Sequence, residues 1–410
     1  MKTSSSNAPS ASSKMSHMLR TSSLKGRALA VAAILGVLAS CSMPPTSPPA
    51  ETPVAALPEA AAPPKPPVAP VVRTTAKSRW ISVAWDELPG WPQDTTIYAW
   101  PSLLKSCERP ATGWAAACES ARSLRDPDEA RVRSWLQTHL QPFRVEPLDG
   151  AGEGLITGYY EPLIAASRTR RAGFQVPLHT APADLAKRKP WWTRAQIDAE
   201  PAARAALRGR EIAFVADPLD ALVLQIQGSG RLRITEPDGR TRLVRAAFAG
   251  HNDHPYRSIG RWLVEQGALT LDQASWPGIK AWARANPGRV RELLNVNPRY
   301  VFFREEPLAD PSAGPLGAQG VPLTPGRSIA VDKESIPYGT PVWIDTTEPL
   351  VGAAPPRPRA LQRLVVAQDT GGAITGPLRA DYFWGWGDGA EEFAGRMKQT
   401  LRMWVLIPRT

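Results

Sequence analysis

From residue 300 to the C-terminus the chain is cut into short apolar runs. They are Tyr300-Val301-Phe302-Phe303, Ser328-Ile329-Ala330-Val331, Pro341-Val342-Trp343-Ile344, Arg363-Leu364-Val365-Val366-Ala367 and Met403-Trp404-Val405-Leu406-Ile407. Turn pairs such as Pro325-Gly326 and Tyr338-Gly339 separate them. Glycine and proline punctuate a chain because of the backbone angles they permit or forbid. Short strands at such close spacing predict a barrel. One helix is expected inside this part, over residues 391–402.

Upstream the pattern is mixed. Residues 80–88 read as a strand entering the domain, stopped by Pro89-Gly90. Residues 97–107 and 114–140 carry helical periodicity, with a helix start near 123–126. The run from Gly154 to Tyr160 is a short strand stopped at Pro162. Further strands are expected at 212–215, 222–227, 231–234 and 241–244, with Asp238-Gly239 as a hairpin turn. Helices follow over 258–265 and 275–285, and 289–294 closes the block.

The N-terminus sets the compartment. A basic, Ser-rich leader precedes an apolar run over 28–39, which ends in Leu38-Ala39-Ser40-Cys41. The run is shorter than the roughly 20 residues a membrane-spanning helix needs, and it has the layout of a secretory signal. A small-residue cleavage site ending on cysteine resembles a bacterial lipobox, with lipid attached at Cys41; the other reading is an ordinary signal peptide with a chance cysteine. Ser42 rather than Asp after the cysteine favours the outer membrane, by resemblance. Met18 is an alternative start, since the leader before it is long. Residues 44–77 are Pro- and Ala-rich, which suits an extended tether and cannot form a core.

An exported chain does not meet nucleic acid, so its net charge of +11 points to another anionic polymer. In the cell envelope that polymer is peptidoglycan, whose peptide stems bear carboxylates. The 15 Trp offer surfaces that stack on sugars, though Trp is also core material. Of 3 Cys, Cys107 and Cys118 remain beside the anchor candidate; a disulfide and two buried thiols are both open readings. His251-Asn252-Asp253-His254 is the one close His pair and reads as a polar loop; no metal and no cofactor are expected.

The chemistry concentrates near the C-terminus. An apolar run delivers Asp369 to Thr370-Gly371-Gly372, and Asp381 follows beside Tyr382, Phe383 and Trp384. Carboxylates against apolar walls are what acid–base work on a sugar needs, because burial raises a carboxyl pKa. Taken alone, an Asp just ahead of Gly is ordinary turn chemistry.

The surrounding motifs raise the odds. They are Thr157-Gly158-Tyr159-Tyr160-Glu161-Pro162, Leu224-Gln225-Ile226-Gln227-Gly228-Ser229-Gly230-Arg231 and Asn297-Pro298-Arg299-Tyr300-Val301-Phe302-Phe303, then 323–332 with Ile336-Pro337-Tyr338-Gly339-Thr340. Together with 369–384 these resemble the membrane-bound lytic murein transglycosylase A family and its three-aspartate domain, with the aspartates falling on Asp332, Asp369 and Asp381. The resemblance runs from about residue 80 to the end. The stretch 369–381 is one residue longer than in the best-known member, so the loop 377–380 governs how Asp381 is presented.

The resemblance implies a mainly β fold with some helices: a double-psi β-barrel domain into which a second β-rich domain is inserted. The implied organisation is 1–40 signal peptide, 41–79 tether, 80–164 first part of the barrel domain, 165–296 inserted substrate-binding domain and 297–410 second part of the barrel domain. It further implies cleavage of the β-1,4 bond between N-acetylmuramic acid and N-acetylglucosamine, forming 1,6-anhydromuramic acid. Asp381 would be acid then base, Asp369 a second catalytic or orienting group, and Tyr159, Gln227, Ser229, Gly230 and Trp384 would bind glycan. Asp332 and Asp388 are read as structural, and Glu161 as a minor rival acid. The implied partners are peptidoglycan strands, the periplasmic face of the outer membrane through the lipid, and cell-wall synthesis or division complexes. A two-carboxylate glycoside hydrolase and a non-catalytic peptidoglycan-binding lipoprotein are the alternatives.

Overall fold

The computed structural model describes residues 69–150, 152–351 and 358–409. Cys41, the lipobox and the tether up to residue 68 lie outside the described residues. In chain order the first elements are β1 (Val72–Thr74), β2 (Ser78–Ser82), α1 (Trp100–Ser106), α2 (Ala115–Ser123), α3 (Glu129–His139), β3 (Leu140–Pro147), β4 (Gly154–Glu161), β5 (Leu163–Ser167) and β6 (Val176–His179). Next come α4 (Arg194–Ala199), α5 (Pro201–Leu207), β7 (Glu211–Val215), α6 (Pro218–Gln227), β8 (Gly230–Thr235), β9 (Thr241–His251), α7 (Ile259–Glu265), α8 (Trp276–Ala285) and α9 (Val290–Val296). The last are β10 (Val301–Pro307), β11 (Ser328–Val331), β12 (Pro341–Thr347), β13 (Ala360–Asp369), β14 (Arg379–Trp386), α10 (Asp388–Arg396) and β15 (Lys398–Pro408).

One sheet runs β1-β2-β3-β15-β12-β13-β11-β14-β4, and a further β15–β4 pairing closes its last six strands into a ring. That ring is the double-psi barrel. Within it β11 runs parallel to β13 and β14 parallel to β4, and the other contacts are antiparallel. Closure removes unpaired strand edges. Alternation does the rest: Ile156, Ile329, Val331, Val342, Ile344, Val365, Ala367, Ala380, Tyr382 and Met403 fill the interior. The intervening residues Trp343, Leu364, Trp404 and Leu406 point outward and are covered by the α1–α3 lobe through Trp100, Leu103, Trp135 and Leu136. That lobe contains a Cys107–Cys118 disulfide, with Cα atoms 5.3 Å apart.

The second sheet has the order β10-β9-β8-β5-β7-β6. Its core of Ile164, Leu178, Val215, Leu232, Ile234, Val244 and Phe303 receives Ala221 and Leu224 from α6. The chain enters this sheet directly from β4, through Pro162.

Several local expectations are corrected. Residues 222–227 are the C-terminal part of α6, not a strand. The Asp217 side chain accepts from Leu219 N, Pro218 opens the helix, and Gly228 ends it at φ 84; these end signals outweigh a short apolar run that reads as either element. The helix expected over 391–402 ends at Arg396, because Leu401 and Met403 are needed as inward residues of β15. The run 300–303 pairs with β9 in the second sheet rather than in the barrel. The strand expected over 80–88 is only β2, followed by a 3-10 turn at Trp85–Glu87. Asp388 opens α10 rather than sitting in a turn.

Candidate active site

Four strands bring the candidate residues into one row. Ala330 on β11 pairs with Asp369 on one side and Asp381 on the other, and Asp381 pairs with Thr157 on β4. Two strand spacings put the Cα atoms of Asp369 and Asp381 about 9–10 Å apart. Ile156, Ala380 and Tyr382 face the barrel core, so their neighbours Thr157, Asp381 and Phe383 face the other way. Tyr159 lies in the same outward set, and its ring meets Phe383 at 5.1 Å.

Asp369 reaches that face through a bulge. Ile329 pairs with Ala367, but Ala330 pairs with Asp369, so Gln368 is the extra residue. Bulges re-aim side chains in this way. Gln368 is fully buried and pinned: its amide donates to Ser102 O (2.9 Å) and Ser106 Oγ (2.8 Å), and it accepts from Ser328 Oγ. Gln319 N donates to Gln368 O, and Gln319 is itself held by Ser106 and Arg109. Nothing in the local sequence marks Gln368 or Gln319; the signal is tertiary.

The two carboxylates differ in what is left free. Asp369 is held at both oxygens: Oδ1 accepts from Thr370 N and Ala318 N, both 2.9 Å, and Oδ2 accepts from Tyr159 OH at 3.0 Å. Asp381 Oδ1 accepts from Thr157 Oγ1 at 2.6 Å, and Thr157 Oγ1 in turn accepts from Arg379 Nη2 at 2.8 Å. Asp381 Oδ2 has no partner among the described residues and is not sealed from solvent. Thr157 and Arg379 lie inside the quoted motifs without a role assigned to them there; strand period puts Arg379 on the face of Asp381.

Electrostatics separate them further. The protein packed around Asp381 raises its pKa to about 6; the Thr157 hydroxyl and Arg379 pull down, and the Asp369 charge pushes up. Burial also raises Asp369, against the opposing pull of its Thr370, Ala318 and Tyr159 donors. Burial, then the charges of Asp369 and Asp381, push the Tyr159 phenol well above its ordinary value, so it stays a donor.

Other candidates fall at different places. Gln227 ends α6, and its Oε1 accepts from Tyr160 N at 3.0 Å, which ties the second sheet's helix to β4. Ser229 is partly exposed between Gly228 and Gly230. Gly230 is buried, and a Cβ there would sit 2.3 Å from Leu224 and 3.0 Å from Pro162 O, so close packing demands glycine. Trp384 is not in the Asp381 row. It packs on the barrel core, stacks on Phe393 at 4.7 Å and directs its indole N–H at Met397 Sδ, 3.2 Å away. Glu161 is fully buried and gives both oxygens to Arg231 (2.8 Å) and Arg245 (2.6 Å), which leaves it no role as a rival acid. Asp332 accepts from Lys77 Nζ and from the Gly376 and Glu334 N–H groups. Burial works against its charge, but these donors hold its pKa below the ordinary value. His254 bonds Trp191 O, and among the described residues no cluster of three or more His, Cys, Asp or Glu is arranged around a metal position.

Comparison with known proteins identifies the family of the chain. A family profile described as the MltA specific insert domain matches residues 155–304, and one described as the 3D domain matches residues 327–407. The lytic transglycosylase LtgG of Burkholderia pseudomallei is 47% identical, over 84% of this chain and 98% of that one, with a TM-score of 0.56. The chain belongs to the membrane-bound lytic murein transglycosylase A family. A curated member from Vibrio cholerae is 35% identical over 263 residues, which span 63% of this chain and 66% of that protein. A solved structure of Escherichia coli MltA with bound chitohexaose is 30% identical, over 77% of this chain and 91% of that one, with a TM-score of 0.61.

Proposed function

We propose that this chain is a peptidoglycan lytic transglycosylase in which Asp381 serves as acid and then as base. The observation that carries this reading is the state of Asp381: one oxygen held by Thr157, the other unengaged, and a pKa of about 6. With a pKa of about 6 such a group is protonated in about a tenth of molecules at pH 7, far more often than an ordinary Asp, and it has an atom from which to deliver the proton. Oδ2 protonates the glycosidic oxygen between N-acetylmuramic acid and N-acetylglucosamine, and the C1–O bond breaks. The carboxylate then takes the proton of the C6 hydroxyl of the muramic residue, whose oxygen bonds to C1. One bond breaks, one forms, no water is consumed, and the product ends in 1,6-anhydromuramic acid. The nucleophile belongs to the substrate, so proximity replaces a protein nucleophile.

In this reading Asp369 orients rather than reacts, because all three of its donors come from the protein. That both its oxygens are held by protein donors also argues against its acting as the base of a two-carboxylate hydrolase. Tyr159, Gln227 and Ser229 would line the glycan path; Gly230, buried against Leu224 and Pro162, and Trp384 would act through packing. A relative that carries chitohexaose supports a glycan ligand. The proposed organisation keeps the barrel in two parts around an insert, with a Cys41 lipid holding the protein at the periplasmic face of the outer membrane.

The test is Asp381→Asn on purified sacculi. The amide keeps shape and loses the titrating proton, so turnover should fall by at least about 10²-fold with glycan binding retained. Residual activity above a tenth moves the acid elsewhere, and reducing-end products from the unmutated protein make it a hydrolase.

A further inference from the structure

Arg299 stands between α9 and β10, and every group it has except the end of its fork is committed. Its N–H donates to Asn297 Oδ1 (3.2 Å), its carbonyl accepts from Arg194 Nη2 (2.7 Å), and its Nε donates to His254 O (2.8 Å). Neither Nη has a hydrogen-bond partner, and no carboxylate lies within ion-pair distance of it, among the described residues. Neither Nη is a sealed, unpaired atom either, so the fork meets solvent.

The fork lies over the turn that follows Asp369. A Cβ built on Gly372 would come 2.5 Å from Nη1 and 3.3 Å from Nη2. Gly372 is three residues beyond Asp369, so the guanidinium borders the Asp369 turn from the side of the second sheet. Burial pushes its pKa below the ordinary arginine value, and the charge of Asp253 pulls the other way. With its backbone held at both N–H and carbonyl and its guanidinium held at Nε, Arg299 presents two parallel donors to a planar acceptor at reduced entropic cost.

We infer that Arg299 is an anion subsite at the edge of the active site, binding a carboxylate carried by the muramic residues of the substrate. The inference rests on the peptidoglycan reading above and adds what recognises the non-sugar part of that polymer. Two sources supply this chemistry: the carboxylates of the peptide stem, or the lactyl carboxylate that muramic acid exposes when the stem is removed.

The experiment measures binding on the full-length Asp381→Asn protein, with and without Arg299→Gln, so that cleavage does not enter. The probes are stem-bearing glycan strands, amidase-stripped strands and chitohexaose, which has no carboxylate. Arg299→Gln should weaken at least one anionic strand by roughly 5–30-fold, as expected for a charge-assisted fork. Chitohexaose should stay within about twofold, which also reports an intact fold. Loss on stem-bearing strands alone assigns the stem carboxylate; loss on stripped strands alone assigns the lactyl group. An equal loss on chitohexaose would make Arg299 a prop for the Gly371-Gly372 turn and overturn the inference, as would no loss on either anionic strand. If the unmutated protein cleaves no sacculi yet shows the charge-selective loss, the catalytic reading fails and the subsite stands.

Discussion

At the scale of single residues, Asp381 makes two pH-dependent predictions. As an acid it must enter the reaction protonated. Its pKa of about 6 therefore predicts kcat/KM that is flat at lower pH and falls tenfold per pH unit above about 6. A rate still rising at pH 8 would contradict this. The same shift has a stability consequence. A carboxyl whose folded pKa is raised binds its proton more tightly when folded, so its contribution is present at low pH and is lost as pH rises through about 6. Keeping the charged form in the folded site then costs on the order of 1–3 kcal/mol. Asp381→Asn should accordingly raise the melting temperature at pH 8 and leave it unchanged at pH 3.5. The neighbouring phenol makes a separate prediction. Tyr159→Phe removes one of three donors to Asp369 and should lower kcat by about tenfold or less, with the fold intact.

At the scale of elements, the β13 bulge and the α1–α3 lobe belong together. Ser102 and Ser106 on α1 hold Gln368, and Gln368 sets the direction of Asp369. Gln368→Ala would leave buried groups unpaired, costing about 1–3 kcal/mol, and should lower kcat while KM changes little. Cys107 follows Ser106 directly, and a bond to Cys118 closes a short loop. Removing it by paired Ser substitution should cost about 2–3 kcal/mol, read as a lower denaturation midpoint. Here the limits of reading the sequence are physical. Asp369 and Asp381 are legible because apolar strands deliver them to Gly-rich and aromatic surroundings. Gln368 is not, because only pairing with Ile329 and Ala330 reveals the extra residue. Trp384 reads as a neighbour of Asp381 along the chain, yet an offset of three in a strand puts the two on opposite faces. The run 222–227 looks like a strand because its apolar stretch is short; Asp217, Pro218 and Gly228 carry the helix signal.

At the scale of the whole molecule, the second sheet and its helices are tied to the ring of six strands by an apolar cluster of Tyr160, Val223, Ala390 and Ala394 and by buried polar contacts. Glu161 with Arg231 and Arg245, and Gln227 with Tyr160 N, are two of those ties. Among the described residues no helix is long and apolar enough to cross a membrane. Attachment through Cys41, if the Pro- and Ala-rich stretch 44–77 acts as a tether, predicts that Cys41→Ala releases a soluble protein still active on isolated sacculi. A variant that stays with membranes after a high-salt wash would rule out the lipid, and a soluble but inactive one would make the tether part of the working domain. Catalysis itself is decided by the fate of water. Sacculi digested in 18O-labelled water should yield new muramic ends without 18O, two hydrogens and one oxygen lighter than the reducing sugar. New ends that each carry one 18O would contradict transfer to the C6 hydroxyl and make the protein a hydrolase.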